Sequence, residues 1–305
     1  MKNSKKRLII IDSNSIIHRA FHALPPLMTK KGEIVGAVYG FLLVFLKAIK
    51  DFQPDFVVAC FDLPGLTFRH EQFKEYKANR PPTPKQLSQQ IPKIKEILKS
   101  FNVPIFTKQG FEADDIIGAI AKLAPLLFSQ KKEEGETIIL SGDSDTFQLI
   151  NSQTKVFALR KGVKDIALYD KELIKTKFQG LKPEQLVAFK ALAGDPSDNI
   201  PGAPGVGKKT ATKLVLEFNS LKNLYFEIKK GSEKAQKIKP KLKETLLKYK
   251  DQVFVSKMLV EIKTDVLIDF NLEKCHFGEY DKEKVVKVLR ELEFYSLISK
   301  VSKSL

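Results

Sequence analysis

The segment Gly110-Phe111-Glu112-Ala113-Asp114-Asp115-Ile116-Ile117-Gly118 and the segment Ser141-Gly142-Asp143-Ser144-Asp145 decide how this chain is interpreted. The first places three acids directly before apolar residues at helical spacing, and the second follows the strand-like run 137–140. In open α/β sheets, side chains at the carboxyl ends of the strands converge on the ligand site. Five acids on one edge repel each other strongly unless divalent cations neutralise them. The two segments therefore predict an acidic site at a sheet edge.

The types of residue in this site indicate which cation it would take. Carboxylates with no His or Cys among them select hard ions such as Mg²⁺ or Mn²⁺. For the segment 110–118 alone, a second interpretation stays open. Acids in the first turn of a helix also favour its N-terminus without binding any ion.

Four strand-like runs, each followed by acids, indicate a mostly parallel α/β sheet flanked by helices. The runs and their acids are 8–11 with Asp12, 56–61 with Asp62, 103–106 with Glu112, and 138–140 with Asp143 and Asp145. One strand-end Asp is often a helix cap, but capping is a poor explanation for four such ends. Residues 155–169 predict an additional β-hairpin with Gly162 in its turn.

The charge of the chain favours a polyanionic partner. Among 305 residues, 52 Lys and Arg stand against 36 Asp and Glu, a formal charge of +16. Nucleic acid is the simplest partner for such an excess, although a merely soluble, lysine-rich surface is the alternative. The excess is concentrated in residues 201–260, which hold fourteen Lys, no Arg and five acids, a net charge of +9.

Cysteine usage and hydropathy indicate a reducing, cytoplasmic location without a membrane partner. The sequence has two cysteines and no apolar run long enough to span a bilayer. The basic residues 1–7 lead directly into the run that ends at Asp12. We interpret them as the entrance of a strand, not as a signal peptide.

Residues 69–82 differ from their surroundings because they are basic, contain two aromatic residues and end in two prolines. Cations alternating with aromatics suit a phosphate backbone and stacked bases, although a solvated loop can have the same composition. We expect this segment to project from the sheet and to be disordered when no nucleic acid is bound.

Residues 202–211 contain three glycines followed by a lysine pair. They do not form a P-loop, because Lys209 occupies the place of the required Ser or Thr and Thr210 comes one position late. We interpret them as a Gly-rich hairpin between two short helices. Its backbone N–H groups and lysines would bind nucleic-acid phosphates.

A change of pattern near Gly180 predicts a domain boundary. Residues 1–180 would form the α/β domain, with the projecting arch at about 64–100. Residues 181–305 would form a helical DNA-binding domain, with the hairpin region at about 198–218. After Lys257 we expect a return to strand and helix, and a closing amphipathic helix over 283–299.

In this order, the motifs resemble the 5′ nuclease family, the 5′→3′ exonuclease and flap endonuclease domain of bacterial DNA polymerase I. The resemblance covers essentially the whole chain, and its blocks are the strand ending at Asp12, 61–62, 68–69, 76–80, 112–115, 142–145 with 148–149, 194–199 and 202–211. It implies a PIN/5′ nuclease-like fold with a helix-hairpin-helix. Two positions depart from the pattern: Ser144 stands where Lys is common, and His18, before Arg19, stands where an aromatic is usual.

The resemblance also implies roles for individual residues in a two-metal hydrolysis of phosphodiesters with Mg²⁺ or Mn²⁺. The ligands it implies are Asp12, Asp62, Glu112 and Asp114 for one ion, Asp143, Asp145, Asp195 and Asp198 for the other, with Asp115 bridging or supporting. Lys77 and Arg80 match the catalytic cations of the arch. The implied DNA-binding residues are Arg19, Arg69, Lys74, Tyr76, Gly202, Gly205, Gly207, Lys208, Lys209 and Thr210, with a K⁺ ion on the hairpin carbonyls as a further implication.

The substrates implied are 5′-flap, nicked or gapped DNA duplexes and an RNA primer on DNA, in replication and repair. A polymerase domain in the same natural chain, a monomeric state and a nucleoid-associated location in a bacterium are implied with them. Two alternatives stay open: a nuclease of similar fold that cuts RNA, and a catalytically decayed module that only binds DNA structures.

Overall fold

A computed structural model describes residues 5–304, so residues 1–4 of the predicted strand entrance, and residue 305, lie outside the described part. The elements up to residue 180 are β1 (Lys6–Asp12), α1 (Ser13–Ala23), α2 (Gly36–Phe52), β2 (Phe56–Cys60), α3 (Phe68–Gln72), α4 (Lys85–Ser88), α5 (Ile91–Ser100), β3 (Ile105–Phe106), α6 (Ala113–Gln130), β4 (Gly135–Ser141), β5 (Thr154–Lys161), β6 (Asp165–Tyr169) and α7 (Lys171–Lys177). The elements after residue 180 are α8 (Leu186–Ala193), α9 (Lys208–Phe218), α10 (Leu221–Lys230), α11 (Glu233–Gln236), α12 (Pro240–Lys248), α13 (Lys250–Val260), α14 (Lys282–Glu291) and α15 (Tyr295–Ser304). Short 3₁₀ helices cover Ser144–Leu149, Pro183–Gln185, Pro196–Asp198 and Leu272–Cys275.

The strands form one sheet in the order β3-β2-β1-β4-β5-β6, parallel except for the antiparallel pair β5–β6. This confirms the predicted sheet and its added hairpin, in whose turn Gly162 has a φ of 65°. The central strands are buried apolar runs because helices cover both faces of the sheet. None of the helices in residues 5–304 has the length and apolar character needed to cross a membrane.

Two hydrophobic cores lie on the two faces of the sheet. Along β1, Leu8 and Ile10 face α6 and the helices between residues 181 and 260, whereas Ile9 and Ile11 face α1, α2 and α5. This alternation follows from the two-residue period of a strand. The sheet therefore fixes its carboxyl edge between two packed layers, and that edge holds the acids.

The C-terminal part differs from the prediction in three ways. The closing helix is broken into α14 and α15, because Glu293 takes a left-handed φ of 60°. Between α13 and α14 the expected strand is wrong, since the described residues there pair with the sheet only through the isolated bridge of His276 to Phe56. Finally, α14 and α15 pack with α2 and α5, on the face of the sheet opposite the Gly-rich hairpin region at about 198–218.

The predicted arch at 64–100 is shorter than expected and does not project as a whole. The apolar residues of α5 are buried in the core, because they recur at helical spacing on one face. Residues 73–80 form turns instead of a disordered projection, and they dock on Glu112 and on the loop 195–199. Tyr76 is only 3% exposed within this docked segment.

Candidate active site

The predicted acids gather around two adjoining cavities at the carboxyl edge of the sheet. One cavity of about 460 Å³ is lined by Asp12, Asp62, Glu112, Asp114 and Asp143. A second cavity of about 460 Å³ is lined by Asp143, Asp145, Asp195 and Asp198. Asp143 lines both, so eight of the nine predicted acids face one continuous acidic edge.

Backbone amides and small hydroxyls orient the acids that end the strands. Asp12 caps α1, accepting from the Ser15 N–H at 3.2 Å, and its other oxygen accepts from the Ser141 hydroxyl at 2.5 Å. Asp62 accepts from the N–H of Ala113 at 2.7 Å, at the start of α6. The strand ends and the first turns of the next helices therefore aim these carboxylates into the first cavity.

Asp114 is the acid with the least internal support. Its carboxylate has no hydrogen bond or ion pair to any residue between 5 and 304. Burial, with the charges of Asp12, Asp143 and Glu112, raises its pKa well above the usual value. Burial likewise raises the pKa of Asp62, and raises that of Asp12 to about 6. These carboxylates carry charge at neutral pH only at a cost, unless a cation joins them.

Other acids are held by cations of the protein. Lys77 Nζ donates to Glu112 Oε1 at 2.7 Å, and Arg80 pairs with Asp198. Burial tends to raise the pKa of Glu112, but Lys77 and Arg69 bring it below its ordinary value.

Lys190, on α8, bridges Asp145 and Asp195, with 2.7 Å to Asp195 Oδ2. Burial nevertheless raises the pKa of Asp145 to about 7, and the nearby charge of Asp143 adds to this rise. The pKa of Asp195 is lowered, since Lys190 and the hydrogen bonds from Ser197 outweigh the effect of burial.

In the part of the chain that the structure describes, no three His, Cys, Asp or Glu side chains form a ready cluster for one cation. Lys77, Arg80 and Lys190 reach into the acidic edge and neutralise part of it. The site is therefore an acidic edge into which cations of the protein are inserted. Lysine and arginine partly balance the charge that a metal ion would balance.

Asp115 and Arg69 are a correction to the predicted site. Both Asp115 oxygens face the Arg69 guanidinium, at 2.7 and 2.8 Å, and they also accept the N–H groups of Glu112 and Lys263. Asp115 is fully buried and Arg69 is 2% exposed. Because these groups are saturated by each other and by the backbone, Arg69 is not available to DNA. Asp115 is not free to bridge two ions, and its geometry fits the supporting role that was the other half of its prediction.

Tyr76 is a second correction, because it does not offer a ring to a base. Its ring packs beside Ile200 and Leu259, and its hydroxyl donates to Glu112 Oε2 at 3.1 Å. Lys77 has a left-handed φ of 55° within a turn, so it and Arg80 do not lie on one helical face. Both cations nevertheless line the first cavity.

The Gly-rich segment lies between α8 and α9. Gly202 packs closely against the backbone of Gly194, and a Cβ added to Gly202 would lie 2.4 Å from the Gly194 nitrogen. Gly205 has a φ of 75° and Gly207 caps α9, and the space beside both is open. Lys208 and Lys209 are exposed in the first turn of α9, with Thr210 half-buried after them, and both lysines line the second cavity.

The remaining predicted residues lie beside this edge. Arg19 lies across Gly142 and donates to its carbonyl at 3.1 Å. His18 lines the first cavity and Ser144 the second, so both departures from the family pattern face the site. Lys74 is exposed and lines neither cavity.

Sequence reasoning missed Lys190, Ser15 and Ser141. The signal for Lys190 was available, because it is the single charged residue in the apolar helix α8 and lies five residues before Asp195. A lone buried lysine needs an acidic partner. The two serines gave no signal, because their roles depend on the contact between the ends of β1 and β4.

Comparison with known proteins is consistent with this geometry. The family model described as "5′-3′ exonuclease, N-terminal resolvase-like domain" matches residues 7–179, and "5′-3′ exonuclease, C-terminal SAM fold" matches residues 181–283. DNA polymerase I of Bacillus subtilis (strain 168) is 41% identical over 297 residues, 97% of this chain and 32% of that protein. DNA polymerase I of Caldicellulosiruptor bescii is 41% identical over 303 residues, 98% of this chain and 34% of that protein. The chain thus spans about a third of the length of these relatives.

Solved structures share the fold at low sequence identity. T5 5′-exonuclease with bound zinc has a TM-score of 0.68 at 20% identity, covering 93% of this chain and 99% of that one. The catalytic core of Rad2 in complex with a DNA substrate has a TM-score of 0.58 at 19% identity, covering 97% and 90%. These likenesses confirm the predicted α/β fold with its helical C-terminal region.

Proposed function

This chain belongs to the 5′-3′ exonuclease family, and from that membership we propose that it is a metal-dependent nuclease that removes nucleotides from DNA 5′ ends and cuts 5′ flaps. The proposed substrates are 5′-flap, nicked and gapped duplexes, together with an RNA primer on DNA. The observation that carries the proposal is the pair of adjoining cavities that share Asp143, each lined by carboxylates.

The residues present fit a pair of hard divalent cations. The donors at the edge are carboxylate oxygens, and Asp114 directs an unpartnered, half-buried carboxylate into the first cavity. Asp12, Asp62, Glu112 and Asp114 would hold one Mg²⁺ or Mn²⁺, and Asp143, Asp145, Asp195 and Asp198 the other. When bound, such ions supply the activation of water and the stabilisation of the leaving oxygen in phosphodiester hydrolysis.

The chain's own cations would serve the substrate. Lys77 and Arg80 now face Glu112 and Asp198, the acids that the ions would engage. With these acids engaged by ions, the long side chains of Lys77 and Arg80 would be free to turn toward the scissile phosphate. They would stabilise charge on its non-bridging oxygens. Lys190 would be released from Asp145 and Asp195 in the same way.

Residues 202–210 would hold the duplex next to the cut. The open backbone at Gly205 and Gly207 and the N-terminus of α9 suit a phosphate group, and Lys208 and Lys209 add positive charge. These contacts read the backbone rather than base edges, so the choice of substrate would follow its shape. A K⁺ ion on the carbonyls of this segment is part of the proposal.

The relatives' greater length supports a further proposal about partners. They are DNA polymerases I, of which this chain matches about a third. We propose that the natural partner is a polymerase domain, in the same chain or beside it. The two activities would then remove primers and damaged strands during replication and repair, in the cytoplasm at the nucleoid.

The test is cleavage of a 5′-labelled flap duplex under single-turnover conditions, with Mg²⁺ or with EDTA. We expect Mg²⁺-dependent cleavage near the flap junction that leaves 5′-phosphates, with slower cutting of a matched RNA duplex. Faster cleavage of the RNA substrate would favour the RNA-cutting alternative. Tight flap binding without cleavage in Mg²⁺ or Mn²⁺ would favour the decayed binding module and overturn the proposal.

A further inference from the structure

Two asparagines join the docked turn segment, residues 73–80, to the acidic loop, residues 195–199, and neither belongs to the site as predicted. Asn199 Nδ2 donates to the Glu75 carbonyl at 2.7 Å. In the opposite direction, Asn79 Nδ2 donates to the Pro196 carbonyl at 2.7 Å. The two bonds are reciprocal, so each segment supplies one amide donor and one carbonyl acceptor.

A backbone bond lies between these two side-chain bonds. The N–H of Lys77 donates to the carbonyl of Asp198 at 2.9 Å. Lys77 and Asn199 both take the left-handed conformation, with φ of 55° and 56°, and this brings the two chain segments face to face. Asn accepts that conformation more readily than most residues. The junction therefore combines this local geometry with the two asparagine bonds and the backbone bond, and the Arg80 side chain adds bonds to the Ser197 carbonyl and to Asp198.

The acidic loop is held by backbone hydrogen bonds of its own. Asp195 and Ile200 exchange two backbone hydrogen bonds of 2.9 Å, which close the loop. Ile200 is buried against Tyr76, on the other side of the junction. A segment tied to this loop consequently has a fixed position relative to Asp195 and Asp198.

The segment that is tied down carries the two cations of the first cavity. Lys77 lies between Glu75 and Asn79, and Arg80 follows Asn79 directly. Their charged ends reach acids of both cavities, Glu112 and Asp198. If the backbone is fixed, each cation can pass from a carboxylate to a phosphate by rotation of its side chain alone.

We propose that Asn79 and Asn199 are positioning residues, whose reciprocal bonds hold the backbone around Lys77 and Arg80 in register with the acidic loop. The proposal rests on the proposed nuclease function for its catalytic consequence. The mechanical part, that the bonds keep the turn segment docked, is independent of any activity. Neither side chain touches the reacting atoms, so the effect on cleavage would be indirect.

The test uses two variants that remove the donors without straining the backbone. Asn79→Ala removes one side chain, and Asn199→Gly removes the other while keeping the left-handed conformation. We expect hydrogen exchange at residues 75–80 of the metal-free, DNA-free protein to speed up about 5-fold in each variant, as for one lost hydrogen bond. We expect the single-turnover rate on a 5′ flap to fall about 10-fold, while flap affinity in Ca²⁺ changes less than about 3-fold.

Asn102→Gly is the matched control. Asn102 also has a left-handed φ of 55°, and its Nδ2 also donates to a distant backbone carbonyl, that of Glu279. It precedes β3, at the end of the strands opposite the acids. This variant should leave both exchange at residues 75–80 and the cleavage rate unchanged, which separates positioning from a general loss of stability.

The outcomes divide as follows. Faster exchange together with a rate loss larger than the affinity loss supports the proposal. Unchanged exchange in both variants overturns it, as does faster exchange with an unchanged rate. Equal losses of rate and affinity would make the segment a simple tether and also overturn the positioning role. If the unmodified protein cuts no flap, the nuclease proposal fails, and the exchange measurement alone decides whether the bonds dock the segment.

Discussion

The acids of the two cavities differ in what balances their charge. Among residues 5–304, one set makes no ion pair with Lys, Arg or His; these unpaired acids are Asp12, Asp62, Asp114 and Asp143. The paired acids of the cavities each face a cation of the protein; they are Glu112, Asp145, Asp195 and Asp198. Asp115, which lines neither cavity, is paired with Arg69 in the same way. Asp12, Asp62 and Asp143 lie at or just beyond the ends of buried strands, and Asp114 lies in the first turn of α6. The cations come from the turn segment, α3 and α8.

This difference indicates where an external cation is needed most. Burial raises the pKa of three of the four unpaired acids, so their charges are costly in the absence of a metal ion. Among the paired acids, the pKa values of Glu112 and Asp195 are lowered by lysines instead, whereas burial still raises that of Asp145 to about 7. A metal ion would therefore relieve repulsion among the unpaired acids, but would have to displace a lysine or arginine from most of the paired ones.

The strongest way to test this contrast is to remove an unpaired acid. Asp62→Ala should lower the single-turnover rate on a 5′ flap by about 10⁴-fold or more, roughly 5 kcal/mol of barrier, because it removes a candidate ligand. Flap affinity in Ca²⁺ should stay within a few-fold of the unmodified protein. Asp51→Ala is a suitable control, since Asp51 forms an exposed pair with Lys47. Near-normal turnover in Asp62→Ala would remove Asp62 from the ligand set.

Breaking the most buried pair should act on stability. Arg69→Met leaves the Asp115 carboxylate buried without its partner, which costs about 3 to 5 kcal/mol in free energy of unfolding. The double variant Arg69→Met/Asp115→Leu should recover part of this loss, because no buried charge then remains. Urea unfolding of both variants measures the difference. Equal stability of Arg69→Met and the unmodified protein would mean that the pair is not a structural element.

The positions of Asp12, Asp62 and Asp143 at the sheet edge were predictable because they follow from local patterns. One buried apolar run ends in Asp12, and another ends two positions before Asp62. Both can be recognised without knowing which strands are neighbours. Since parallel strands present their carboxyl ends on one edge, the acids had to converge. The sheet and its hairpin were predictable for the same reason.

The pairing of the remaining acids was not predictable, because it depends on contacts between distant segments. Arg69 and Asp115 are separated by 46 positions, and the charge pattern 69–82 suited a DNA-binding surface equally well. Whether a cation lies in the core or faces a ligand is settled by packing, here by the contacts of Arg69 with the backbone of residues 259 and 261. The arch was misjudged in the same way, since its prolines suggested exposure while Tyr76 anchors it.

A cation that pairs with one of these acids should affect the cleavage rate more than the affinity for the flap. Lys77→Ala should lower the single-turnover rate about 100-fold, roughly 3 kcal/mol, because charge develops on the phosphate oxygens in the transition state. Flap affinity in Ca²⁺ should change much less. Lys47→Ala, which also removes a lysine from an ion pair, is the matched control on α2. If rate and affinity fall by the same factor in Lys77→Ala, the residue is only a phosphate tether.

The smallest expected effect concerns Asp114 in the metal-free protein. Its pKa is raised in the folded state, so the folded protein takes up this proton at a higher pH than the unfolded chain does. The contribution of Asp114 to stability is therefore favourable below its unfolded pKa of about 4, and is lost as the pH rises through its higher folded pKa.

Asp114→Asn removes this loss of stability at high pH. In EDTA at pH 8 the variant should therefore be more stable than the unmodified protein by about 1 to 2 kcal/mol in free energy of unfolding. The advantage should shrink as the pH approaches about 4, where the carboxyl is protonated in both states. Saturating Mg²⁺ should reverse the order, because ion binding stabilises the unmodified protein more than a variant lacking one ligand. Urea unfolding at pH 4, 6 and 8, with EDTA or Mg²⁺, measures all three effects. A variant that is less stable than the unmodified protein in EDTA at pH 8 would show that Asp114 is not under repulsion, and that the division between unpaired and paired acids has no energetic basis.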